Sequence, residues 1–113
     1  MLKAQNRLVS KRDFLKVSRE SGGARSRYFS GKALKSKLEI SRFGFVISLQ
    51  VSKKSTVRNL LKRRMREVIM ENLPNLRQGY DVVIRAKPEA IGKDFGELKE
   101  DLGYLLRSLN LLR

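Results

Sequence analysis

FGFVISLQVSKKSTVRNLLKRRMREVIMENLP, residues 43 to 74, changes its apolar period halfway along. Phe43, Phe45, Ile47, Leu49 and Val51 alternate with Gly44, Val46, Ser48 and Gln50, the period-2 pattern of a strand with one strongly apolar face. Beyond the Ser/Lys-rich turn the pattern becomes helical. At about 100° per residue, Val57, Leu60, Leu61, Met65, Val68 and Ile69 share one side of a helix. Ser55 or Thr56 is its expected cap, and Leu73-Pro74 should stop it near Asn72. A strand feeding a helix is the centre of this fold.

Tyr80 to Ala86 (YDVVIRA) follows as a short apolar, β-branched run, read as a buried strand that Lys87-Pro88 breaks. Asp94 with Glu97 caps a last helix whose Leu98, Leu102, Leu105, Leu106 and Leu109 make a core-facing stripe. Upstream, Ser10 and Asp13 have the capping-box spacing, so a short helix is expected from about 11 to 20, ended by Gly22 and Gly23. Arg27 to Leu34 reads as a strand and KSKLE as a polar connection. The order α-β-β-α-β-α predicts a single α+β domain over residues 1–113, with helices packed on a small sheet. That length suits one compact core.

The chain carries a formal charge of +15, and its distribution is uneven. Residues 1–72 hold 19 Lys and Arg against 5 acids, whereas residues 73–113 hold 7 against 6. A positive field confined to one part of a small domain is the footprint of a nucleic-acid binder. There is no histidine and no cysteine, which removes disulfides, Cys/His zinc sites and Ser-His or Cys-His nucleophile pairs. No stretch approaches the ~18 apolar residues of a membrane span. The opening MLKAQNRLVSKRDF has no signal-peptide pattern, so a soluble, cytoplasmic protein is expected.

Residues 58 to 67 concentrate the charge, with five bases and one acid in ten positions. Arg58, Asn59, Lys62, Arg63 and Arg66 fall opposite the apolar side of the helix. Arg64 lands beside Leu60 and Val57, and must run its methylenes along the apolar surface to reach water. A solvated face is the ordinary explanation of such a run. Yet like charges at i, i+4 repel by roughly 0.2–0.5 kcal/mol per pair, and Glu67 and Glu71 offset only part of this. A phosphate backbone reverses the sign by releasing counterions, and Arg offers it bidentate geometry.

Arg58-Asn59, Lys62-Arg63 and Arg66-Glu67 resemble the R-N-x-x-K-R-x-x-R-E signature of the bacterial ribonuclease P protein component. The resemblance extends along the chain through Asn6-Arg7-Leu8, Asp13-Phe14, Val17, Arg27 with Phe29, Arg42-Phe43-Gly44-Phe45 and Arg85-Ala86-Lys87-Pro88. Three departures stand out. Leu60 sits where the family usually has a third base after Arg-Asn. Ser48-Leu49-Gln50 replaces its Ser-Lys-Lys, with Lys53-Lys54 arriving later. Ser18 takes the place of an aromatic that some members carry.

The resemblance implies a protein that joins a catalytic RNA and binds the 5′ leader of precursor tRNA, with Mg2+ and the cleavage chemistry belonging to the RNA. It also implies a sandwich with a left-handed β-α-β crossover, against a ~98% preference for the right hand. Lys53, Lys54, Arg58, Asn59, Lys62, Arg63 and Arg66 are the expected RNA-binding residues. Phe14, Lys16, Arg27, Phe29 and Lys32 are expected to form the leader groove between the first helix and strand, with no catalytic or metal-binding residue on the protein. The protein is expected to be monomeric outside the complex. A ribosomal-type rRNA binder is the nearest alternative. A DNA-binding module would need a helix-turn-helix or zipper, and a stand-alone nuclease an acid-base pair, neither of which stands out.

Overall fold

A computed structural model describes residues 2–20 and 22–113. Its elements are α1 (Lys11–Ser18), β1 (Ala24–Arg25), β2 (Phe29–Lys35), β3 (Arg42–Val46), α2 (Ser55–Asn72), β4 (Tyr80–Ala86) and α3 (Phe95–Ser108). The four strands form one mixed sheet in the order β1-β2-β4-β3. β2 runs antiparallel to β4 and β3 parallel to it, so β3-α2-β4 is the β-α-β unit. The α+β class and the order of the long elements are as expected.

The boundaries differ where the backbone lacks a partner. β3 was expected to reach Val51 and stops at Val46, whose ladder partner is Arg85. β4 ends one residue later, before Lys87-Pro88, so nothing remains for β3 to pair with. The chain turns instead, with Val51 N–H donating to Ser48 O, and Leu49 is left 65% exposed. β2 starts at Phe29 rather than Arg27, because residues 26–28 form the turn from the two-residue strand β1. At the start of α2, Lys54 is the capping residue and makes no side-chain cap bond, in place of Ser55 or Thr56.

Alternation along the sheet separates two apolar layers. Phe43, Phe45, Val82, Ile84 and Phe29 point to one face, where they pack with Leu61, Met65, Val68 and Ile69 of α2 and Leu98, Leu102, Leu105 and Leu106 of α3. Val83 points the other way and meets Leu8 and Val17, with Phe14, Leu34 and Val46 half-buried around them. α1 covers only this second, thinner layer, and part of that sheet face stays open. Its attachment is reinforced by Arg42, which bonds Asp81 through Nε (2.9 Å) and Nη2 (2.7 Å) and also pairs with Asp13 of α1 at 3.2 Å. The hydrogen bonds to Asp81 hold the Arg42 guanidinium pKa above its ordinary value, against the opposing effect of burial.

Candidate nucleic-acid interface

α2 is anchored by its apolar side, and that anchoring fixes where its charges point. Leu61, Met65, Val68 and Ile69 are buried, while Asn59 and Arg63 are exposed and Lys62 and Arg66 half-buried. Asn59, Lys62, Arg63 and Arg66 line one groove of ≈ 620 Å³ with Leu2, Thr56, Leu60 and Glu67. Leu60, placed on the apolar side from the sequence, is 39% exposed and belongs to this groove, because the sheet lies under Leu61 and Met65. Arg66 Nε is buried without a hydrogen-bond partner among the described residues. An arginine held that way retains hydrogen-bonding capacity that costs free energy until it is used.

Three basic residues of the expected set lie outside this groove. Arg58 Nη1 donates to Ser52 O at 2.8 Å, so this side chain folds back to close the turn before α2. Lys53 and Lys54 are exposed on that same turn, next to the helix start. Arg64 leaves the basic face as expected, with Nη1 donating to Lys93 O at 3.2 Å.

Lys62 and Arg66 also border a second, smaller groove of ≈ 240 Å³ with Arg7, Leu8, Val9, Phe14, Phe43, Gly44 and Phe45. Phe14 is half-buried there, its ring seated on the bare backbone of Gly44. A third groove of ≈ 370 Å³ lies on the open part of the same sheet face. Ser18, Gly23, Arg25, Lys32 and Arg85 are among its walls, with Lys32 Nζ donating to Ser18 O at 3.0 Å and Arg85 Nη2 to Ser18 Oγ at 3.4 Å. Basic residues thus run from α2, past Phe14, to the end of α1.

The expected leader groove is corrected at three positions. Phe29 is fully buried on the α3 side of the sheet, so its ring cannot meet a base. Arg27 lies on that side too, near the Tyr28 ring and in a groove with Glu97, Asp101 and Tyr104. A hydrogen bond with Tyr28 is the main cause of its raised pKa. Lys16 is exposed on the outside of α1 and lines neither groove. Both errors are ones of parity: positions 27 and 29 alternate to the face opposite Lys32, which pairs beside Val83. Arg7, Arg25 and Arg85 were missed. Arg85 was within reach, since the alternation of β4 puts it on the face of Val83 rather than of Ile84.

A family model described as Ribonuclease P matches residues 2–110. The chain belongs to the ribonuclease P protein family. The ribonuclease P protein component of Pseudanabaena is 34% identical over 113 residues, covering 99% of this chain and 97% of that one. That of Synechocystis is 42% identical over 72 residues, 64% of this chain and 58% of its own length. The solved ribonuclease P protein of Thermotoga maritima is 33% identical with a TM-score of 0.82, covering 89% of this chain and 97% of that one. The Staphylococcus aureus protein shares the fold at 18% identity, with a TM-score of 0.87 over 96% and 98% of the two chains. Family membership implies an RNA partner, and among the described residues no helix is long and apolar enough to cross a membrane.

Proposed function

We propose that this chain is the protein subunit of a ribonuclease P ribonucleoprotein, gripping the catalytic RNA with α2 and the 5′ leader of precursor tRNA on the open sheet face beside α1. The observation that carries the reading is the groove lined jointly by Asn59, Lys62, Arg63 and Arg66 on the exposed side of α2. These residues are the family signature, gathered on one face by an apolar anchor on the other. Phosphate oxygens would accept from the amide, ammonium and guanidinium groups that line this groove and relieve the repulsion along the helix. The reading favours the ribonuclease P RNA over ribosomal RNA, because family membership covers nearly the whole chain.

Leader binding rests on the two grooves flanking α1. A single strand needs cations along its backbone and a ring or apolar floor for its bases. Lys32, Arg25 and Arg85 offer the first, and Phe14 the second. Cleavage itself is assigned to the RNA and its Mg2+. Among the described residues no three carboxylates cluster to hold an ion, and Asp13 and Asp81 are both engaged by Arg42. Precursor tRNA and its maturation place this work in the cytoplasm, with the free protein a monomer.

Cleavage of precursor tRNA at low Mg2+ by a bacterial ribonuclease P RNA, with and without this protein, tests the proposal. The protein alone should cleave nothing, while its addition should restore leader removal by the RNA. Robust Mg2+-dependent cleavage by RNA-free protein, or no stimulation of the RNA, overturns it.

A further inference from the structure

α1 has a second face that the leader grooves do not use. At about 100° per residue, Lys11, Leu15, Arg19, Arg12 and Lys16 fall within an arc of roughly 140° on the helix. All five are exposed. The opposite arc is the attached one: Val17 is buried, Phe14 sits on Gly44, Asp13 pairs with Arg42, and Ser18 meets Lys32 and Arg85. The four cations of the outer arc make no ion pair among the described residues, since those pairs involve only Arg42 and Lys99. Arg12 and Lys16, and Lys16 and Arg19, are neighbours on the surface at i, i+4 and i, i+3, so they repel one another until an anion intervenes.

We infer that this outer arc of Lys11, Arg12, Lys16 and Arg19 is a second binding surface for the phosphate backbone of the ribonuclease P RNA, separate from the leader grooves. The inference rests on the function proposed above. The occupant follows from position and charge. The arc faces away from the sheet, so a strand lying between Lys32 and Arg85 is screened from it by α1 itself. Toward the start of α1 it adjoins the groove of Arg7, Val9 and Phe14, whose far wall is Lys62 and Arg66 of α2. A backbone held by α2 can therefore continue across that groove onto α1. Arg12 to Arg19 spans about 10 Å along the axis at 1.5 Å per residue, room for neighbouring phosphates. In this arrangement α1 is a wall with the RNA subunit outside and the leader inside.

The test replaces Lys11, Arg12, Lys16 and Arg19 together by Gln, which keeps helix propensity, and measures salt-dependent binding to the RNA subunit and holoenzyme affinity for precursor against mature tRNA. The log-log salt slope for the RNA subunit should fall by roughly three, at ~0.7–0.9 for each of four lost phosphate contacts. The preference for precursor over mature tRNA should be retained. A slope equal to wild type, or a loss confined to the precursor, overturns the inference while leaving the proposed function standing. Wild-type protein that does not bind the RNA subunit overturns both. Should the fourfold variant melt early, Arg12→Gln and Lys16→Gln singly decide the matter, each expected to lower the slope by just under one. A photo-crosslinker at position 16 should mark the RNA subunit; marking the leader instead overturns the inference.

Discussion

The Phe14 ring fills the space above Gly44 that a side chain would occupy, and a Cβ built on Gly44 would overlap Phe14 Cζ. This contact, with the Arg42–Asp13 pair, seats α1 on β3, and it leaves Phe14 lining the groove that also holds Lys62 and Arg66. Gly44 is there for close approach, not for an unusual backbone angle, as its φ is not among the positive ones.

Gly44→Ala should destabilise the protein by about 1–3 kcal/mol, the usual cost of overpacking. Phe14 must shift to make room, so precursor affinity in the holoenzyme should weaken while binding of the RNA subunit through α2 stays near wild type. Thermal melting and the two binding measurements together check this. An unchanged melting temperature would show that α1 adjusts freely.

Phe14→Leu separates packing from stacking. Leu fills much of the same half-buried site, so the loss of stability should stay below about 1.5 kcal/mol. A base stacked on the ring would lose roughly 1–3 kcal/mol, reducing precursor affinity by tenfold or so relative to mature tRNA. Equal weakening of both tRNAs would make Phe14 a packing residue only.

Lys62→Ala, Arg63→Ala and Arg66→Ala should each shallow the salt slope for the RNA subunit by about 0.7–0.9. Arg64→Ala should leave the slope close to wild type, because its guanidinium is bonded to Lys93 O behind the face. Equal effects at positions 63 and 64 would contradict the orientation of α2.

The strongly periodic parts were legible in the sequence for a physical reason. α2 and α3 each bury one face against the sheet, so their apolar stripes repeat with the helical period, and Asp94 accepts from Glu97 N–H as its spacing implied. β3 was misread because its alternation continues past the end of its partner strand β4; apolar period alone does not say where a ladder stops. The basic helix could be found from residues 58–67, since anchoring and charge lie on one element. The leader groove could not, because Lys32, Arg85 and Phe14 come from β2, β4 and α1 and meet only through strand order. Phe29 and Arg27 were assigned to it although strand alternation puts both positions on the face opposite Lys32.

Asp101→Asn should cost about 1.5–3 kcal/mol, the range for hydrogen bonds to a charged group. The α3 carboxylate accepts from Ser26 Oγ at 2.7 Å, Arg27 N–H at 3.0 Å and Tyr28 N–H at 2.8 Å, holding the turn from β1 to β2. An amide has one acceptor oxygen and would face those donors with an NH2 group. Chemical denaturation should show the loss, with binding through α2 intact. A stability equal to wild type would mean that Lys87, which also bonds Ser26 O and Tyr28 O, holds the turn alone.

Arg42 should be the most sensitive charged residue in the fold. Asp81 is 7% exposed, and Arg42 provides it with two hydrogen bonds while linking it to Asp13 on α1. Arg42→Ala would strand a nearly buried carboxylate, a change that costs about 3–5 kcal/mol when a buried pair is broken from one side. Arg42→Lys should recover only part of this, since an ammonium cannot span both oxygens of Asp81 and reach Asp13 as well. The pH dependence has a definite sign. Because the folded pKa of Arg42 is raised above its ordinary value, its contribution is fully present below that ordinary value and is lost only as pH climbs through the folded pKa. Deprotonation of Arg42 therefore adds no slope between about pH 6 and pH 10. Comparing the variants by denaturant titration across that window checks both points: a stability difference between Arg42→Ala and Asp81→Asn/Arg42→Ala that favours the double variant identifies the stranded carboxylate as the source of the loss.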